Sequence, residues 1–206
     1  MRTFKLGLGP GGDVLENATV TKLVDIPEAG LLNGMATVNE ETILVSDVHN
    51  GNVLRVNTVS GAYSIAIDDP KMKFSYVANP PINLGVNGIK IRDSHLHWAN
   101  TAAGFNARIK INAFASPVGC SEIAVTNVPG ADDFIIRSDG VAFICQNGED
   151  TLSIAYLNPS EPVPAVPIAG RNTSTILAGV TAAAFGRLPT DRKRLYLSTS
   201  GGERNS

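Results

Sequence analysis

The chain has 206 residues, 43% of them hydrophobic, with 17 basic and 19 acidic side chains and a formal charge of -2. That balance supports one buried core and excludes a disordered or low-complexity chain, while the lack of a basic block or a basic, aromatic-rich stripe speaks against a nucleic-acid partner. No apolar run approaches the ~18 residues of a membrane span and residues 1–12 lack the apolar stretch of a signal peptide, so the chain reads as non-membrane, and as cytoplasmic unless a further segment precedes it.

Taken in order, residues 3–6 and 19–24 read as two strands flanking the glycine-rich residues 7–12. Those glycines match G-x-G-x-x-G, but Pro10 and the β-branched residues after Asn17 oppose the helix that a dinucleotide site needs at that point. Residues 32–38, 42–46, 53–56 and 62–67 form a meander of four strands, with Asn50-Gly51 and Ser60-Gly61 at turns. Residues 69–84 hold three prolines with Phe74 and Tyr76 and read as a long loop overhanging one end of the domain. A second meander follows at 86–91, 95–99, 107–111 and 122–125, and a third at 134–136, 141–145, 152–156 and 165–168, with turns at Asp139-Gly140 and Asn147-Gly148. Two last strands lie at 181–185 and 194–199.

The first strand of each meander opens on a recurring pattern. From Asn33 to Asn87 to Asp132 to Val180 the steps are 54, 45 and 48 residues, the period of a four-stranded propeller blade. The expected fold is therefore all-β: a single β-propeller domain over residues 1–206 with about four blades' worth of repeats, three whole blades and two half blades. The halves are complementary in strand count and are expected to join as one composite blade; an open arc would instead leave strand edges available for self-association. Cys120 and Cys145 form no disulfide framework or metal-type cluster and read as buried free thiols. The sequons at Asn17 and Asn172 matter only in a secreted protein.

The segments IPEAGLLNGM (26–35), IDDP (67–70), GVNGIKIRD (85–93) and LAGVTAAAFGR (177–187) resemble the fungal branch of the SMP-30/gluconolactonase family. The resemblance implies a six-bladed propeller, of which this chain matches the middle and C-terminal part and lacks about two N-terminal blades. It further implies a divalent cation in the central tunnel, calcium first and zinc or magnesium as substitutes, held by oxygen ligands. By position in the repeats, Asn87 and Asp132 resemble the metal ligands and Asn33 the substrate-facing residue; the acidic ligand from the first blade has no counterpart here. Asp132 is preferred to Asp133 for its distance from the Asp139-Gly140 turn.

The catalytic candidates are thus Asp132 and Asn33, and the substrate-binding candidates Asn33, Asn87 and His49, the last in a turn near a tunnel mouth. Asn or Asp before Gly at a strand start also satisfies turn backbone with no further role. His95 and His97 share a strand face but have no third ligand nearby and read as solvated or loop-packed; Trp98 and Phe105 read as blade packing. No G-x-S-x-G elbow exists. The reading placed first is metal-dependent hydrolysis of a lactone or related ester. The alternative, again from the resemblance, is a metal-free cyclase of the hetero-Diels-Alder type in fungal polyketide or terpenoid metabolism, and a third is an inactive or ligand-binding propeller fragment. The implied partner is a small-molecule substrate.

Overall fold

The computed structural model describes residues 1–5, 19–74, 83–157, 160–171 and 175–201. It opens with an antiparallel pair, β1 (Arg2–Lys5) and β2 (Thr19–Lys22); the glycine-rich residues between them lie outside the described residues. The first four-stranded sheet is β3 (Leu32–Thr37), β4 (Thr42–Asp47), β5 (Asn52–Asn57) and β6 (Tyr63–Ile67), in sequence order. The second is β7 (Val86–Arg92), β8 (His95–Asn100), β9 (Phe105–Ile111) and β10 (Pro117–Thr126), and the third is β11 (Ala131–Ile136), β12 (Val141–Gln146), β13 (Thr151–Tyr156) and, past the two-residue β14 (Val163–Pro164), β15 (Val166–Gly170). β14 adds to the outer edge of the second sheet, parallel to β10; a proline is tolerated there because only one side of an edge strand needs its N–H groups. A last hairpin pairs β16 (Val180–Phe185) with β17 (Leu195–Thr199).

The middle strands explain the layering. In β4, Ile43, Leu44 and Val45 are all buried, so the strand is covered on both faces. Leu44 joins Val53, Ile67, Ile89, Leu96 and Trp98 between the first and second sheets, whereas Ile43 and Val45 turn the other way, toward Met1, Leu23 and Val24. Ala99, Val125, Phe134, Ile144 and Ala165 fill the second seam and Cys145, Leu152, Leu177 and Val180 the third. Continuous apolar runs rather than strict alternation are what sheets packed face to face in series require.

Three expectations need correction. The terminal hairpins do not merge: β1–β2 and β16–β17 remain separate two-stranded sheets, and among the described residues no ladder joins them. Strand count alone suggested a composite blade, but β16 packs against β11 and β12, and the segment after β2 packs against the first sheet. Cys120 is exposed while Cys145 is buried, because β10 runs further than its apolar core: residues 117–120 lie beyond a register shift and stay open to solvent. The segment after Asp69 does not begin as an overhang. Asp69 caps a short 3-10 turn, Pro70–Met72, which buries Met72 in the first seam; residues 75–82 lie outside the described residues.

Candidate functional site

The four inner strands β3, β7, β11 and β16 follow one another, each touching the next. Every one breaks register with its neighbour near its start: between Leu32 and Met35, Val86 and Ile89, Ala131 and Phe134, and Val180 and Ala182. Such a bulge re-aims the side chain it carries, and the residues in these breaks include Asn33, Asn87, Asp132 and Thr181. Glycine follows the first two for a steric reason. A Cβ on Gly34 would lie 2.4 Å from the Asn87 carbonyl oxygen, and one on Gly88 2.6 Å from the Asp133 Cα, so the inner strands approach more closely than any side chain permits. A matching polar residue ends each second strand: Asp47, Asn100 and Gln146, all buried. Asp47 accepts the N–H groups of Gly30 and Leu31, Asn100 donates to the carbonyls of Lys71 and Lys73, and Gln146 to that of Pro129. Each thereby ties down the chain ahead of an inner strand.

Asn33, Asn87 and Asp132 converge on one cleft of about 300 Å³, whose lining also includes Leu31, Leu84, Thr101 and Asn147. Ser46 donates to the Asn87 carbonyl at 2.7 Å and accepts from the Gly34 N–H at 2.7 Å, pinning two inner strands together. The Asn87 amide nitrogen donates to the Thr101 hydroxyl at 3.0 Å, and that hydroxyl donates to the Ala131 carbonyl at 2.6 Å. Asn87 Oδ1 is buried with no hydrogen-bond partner among the described residues. Burial, reinforced by the neighbouring Asp133 charge, pushes the Asp132 carboxyl up to about 6, against the opposing pull of the Asn87 side chain. Asp133 itself forms an ion pair with Lys90 at 2.5 Å, and Lys90 also lies over the Phe134 ring. The cleft therefore presents one partly buried carboxyl group that changes protonation near neutral pH, three carboxamides and two leucine walls.

No family model matches the chain. Among curated proteins it is 28% identical over 194 residues to a candidate hetero-Diels-Alderase from Phoma sp, a match covering 84% of this chain and 53% of that protein. It is 26% identical over 212 residues to another from Sarocladium schorii, covering 89% and 52%. The chain thus spans about half the length of the curated relatives it matches. Solved structures with a similar backbone include a chain of a nidogen/laminin complex (TM-score 0.62, 10% identity, 97% of this chain and 75% of that one). Virginiamycin B lyase from Staphylococcus aureus (0.59, 13%, 95% and 62%) and a candidate gluconolactonase (0.56, 19%, 94% and 62%) are also similar. The fold is a β-propeller. At these identities the structural likeness establishes the fold alone.

Within the propeller the other candidates lie elsewhere. His49 is exposed in the turn after β4, beside Gly30, and is not among the residues lining the cleft. His95 meets the Asp93 carbonyl through Nδ1. His97 is buried, contrary to the expectation of a solvated or loop-packed side chain, because β8 is covered on both faces. Burial, with Arg108, His95 and Arg92 nearby, pushes its imidazole down to about 4. Trp98 is fully buried and donates to the Lys71 carbonyl, and Phe105 packs on the same core. Thr101 and Asn147, both in the cleft lining, were not singled out from sequence: one follows β8 and the other opens a 3-10 turn after β12, and only the packing of the sheets brings them to the cleft.

Proposed function

We propose that this propeller belongs to a cyclase that closes a ring by hetero-Diels-Alder addition. The observation that carries the reading is that both curated relatives described in those terms align with most of this chain. In such a reaction a conjugated carbonyl compound adds across an alkene. One C–O and one C–C bond form, three π bonds become one, and no electron or proton is gained or lost overall. The protein's work is to hold both partners in a reactive pose and to place hydrogen-bond donors where negative charge grows on the carbonyl oxygen. Leu31 and Leu84 supply apolar walls, Asn33, Asn87 and Asn147 carboxamides, and Asp132 an acidic proton below about pH 6. The volume, about 300 Å³, sits at the small end of ligand pockets.

The competing reading is metal-dependent lactone or ester hydrolysis, with calcium, zinc or magnesium at Asn87 and Asp132. The donor set does not fit a firmly held cation. Asn87 turns its nitrogen to Thr101 and keeps a buried oxygen with no hydrogen-bond partner among the described residues, but Asp132 is the one carboxylate among the described residues of the cleft lining, they hold no group of three or more His, Cys, Asp or Glu side chains suited to a metal, and one carboxylate with neutral oxygens holds a divalent cation weakly. The test is to incubate the protein with an enone and an electron-rich alkene, and separately with a γ-lactone, with and without EDTA, and to analyse products by chiral chromatography. Enantiomerically enriched adduct, undiminished by EDTA, is expected. Lactone opening that requires calcium and stops with EDTA, without adduct, would replace the cyclase by the hydrolase.

A further inference from the structure

A second cavity, of about 320 Å³, lies against the first sheet and shares no lining residue with the cleft. Asp47 and Asn52 pair directly across β4 and β5, and Leu54 and Ile65 pair across β5 and β6. Residues paired in this way share a face, and Leu54 stands two places after Asn52, so all four side chains point the same way. That face is the one opposite the seam filled by Leu44 and Val53. Glu28, from the segment before β3, closes the cavity from the side, and the Tyr63 hydroxyl donates to its Oε2 at 3.2 Å.

The lining holds two carboxylates, Glu28 and Asp47, and no basic side chain. Asp47 is saturated by the fold: it accepts from the N–H groups of Gly30, Leu31 and Asn50 and from the Asn50 amide. Burial raises its carboxyl, but those bonds outweigh burial and hold it below the ordinary 3.8, so it stays an anion. Lys73 reaches the Asn50 carbonyl from outside the lining and is itself paired with Asp68 at 2.5 Å. Asn52 is 8% exposed, and its Oδ1 is buried with no hydrogen-bond partner among the described residues. A buried acceptor without a donor opposes folding and is relieved by a ligand that brings an N–H group. Leu54, Ile65 and Ala29 supply apolar wall beside it.

We propose that this cavity binds a primary alkylammonium, which donates to Asn52 Oδ1, lies against the Glu28 carboxylate and lays its alkyl chain along Leu54 and Ile65. The proposal goes beyond the ring-closing reading and does not depend on it. A divalent metal ion fits less well, because with Asp47 saturated Glu28 is the one carboxylate of the lining left to ligate it.

The experiment is an NMR titration of the full chain at constant ionic strength with n-butylammonium chloride, n-butanol and calcium chloride in separate arms. The readouts are the Asn52 side-chain amide and the backbone amides of Ser64 and Ile65. Butylammonium is expected to give saturable shifts at millimolar concentration, and butanol and calcium none. Glu28→Gln, at an exposed position, is expected to weaken butylammonium binding by about threefold to fivefold. Asn52→Leu, which exchanges an unpaired amide for an apolar group of similar size, is expected to abolish the saturable shifts at Ser64 and Ile65 without lowering Tm. Wild type and Glu28→Gln decide the matter alone if the leucine variant folds poorly. Shifts that fail to saturate, that butanol reproduces, or that Glu28→Gln leaves at full affinity overturn the proposal. Calcium that moves the same resonances and displaces butylammonium overturns it in favour of a metal site.

Discussion

Replacing Asp132 by asparagine should stabilise the protein at neutral pH while removing the pH dependence of its chemistry. The folded chain holds the Asp132 carboxyl up at about 6 from an ordinary 3.8, through burial and the adjacent Asp133 charge. A group that binds its proton more tightly when folded lowers stability as pH rises, here from 3.8 to about 6, and the whole penalty is present above that range. A shift of about two units corresponds at most to ~3 kcal/mol, and because the side chain is half-buried rather than sealed, screening reduces this to ~1–2 kcal/mol. Asp132→Asn keeps the shape and removes the charge, so it should be about 1–2 kcal/mol more stable than wild type at pH 7, or about 2–8 °C in Tm. It should match wild type near pH 3.5, where both side chains are neutral. Urea unfolding at the two pH values measures the difference directly. In the adduct assay wild-type activity should fall as pH rises through about 6 and the variant's should stay flat. A variant less stable than wild type at pH 7, or one gaining equally at both pH values, would refute the electrostatic account of this carboxyl.

Gly88→Ala should destabilise the second seam by about 1–3 kcal/mol, since the new methyl meets rigid backbone: the Asp133 Cα at 2.6 Å and the Asp132 carbonyl oxygen at 2.8 Å. Gly148→Ala, whose methyl would find its nearest neighbour at 3.8 Å, should leave Tm nearly unchanged, and equal melting of the two variants would contradict the close-approach argument. His97, pushed down to about 4 from 6.5, is neutral in the fold and takes up a proton more readily when unfolded, so its contribution is lost as pH falls from 6.5 to about 4. His97→Gln, made in the Asp132→Asn background so that the opposing slope of Asp132 is absent, should flatten stability between pH 6.5 and 4; an undiminished slope would place its source elsewhere.

Much of the fold was legible because each blade repeats a local signal. The apolar runs of β4, β8 and β12 follow from β-propensity, the turns at Gly51, Gly61 and Gly140 follow from glycine's tolerance of positive φ, and the spacing of Asn33, Asn87 and Asp132 located three inner strands; the turn after β12 differs, a 3-10 turn whose positive φ falls at Asp150 and not at Gly148. The turn between β7 and β8 was less obvious: Asp93 and Ser94 both adopt positive φ, at 48° and 57°, without a glycine. The fate of the terminal hairpins was not legible, since strand counting says nothing about which seam each hairpin fills. Nor was the equivalence of Asp47, Asn100 and Gln146, three residue types in one role, each chosen by whether its own loop offers N–H groups or carbonyls. Thr101 was invisible for a similar reason. Its role depends on a carbonyl 30 residues away, and no local pattern encodes that.

The inner-strand bulges explain how one scaffold can carry such a site without losing its blades. A register break frees one residue from the alternation that otherwise sends side chains into a seam, so a polar group there displaces no packed neighbour. Asn33, Asn87 and Asp132 occupy three such breaks, and the seams behind them are closed independently by Leu44, Trp98, Phe134 and Ile144. Stability and chemistry are therefore partly separable. The seam residues determine whether the inner strands stand close enough to converge, whereas the bulge residues and Thr101 determine what the convergence presents. An unpaired Asn87 oxygen and a carboxyl held near neutrality both oppose folding, and both lie at the same cleft. A seam selected for stability alone would have neither. Unpaired buried oxygens also occur at Asn52 and Asn106, away from the cleft; that the Asn87 oxygen shares its cleft with a carboxyl held near neutrality is the physical ground for placing function there rather than at the exposed turn that carries His49.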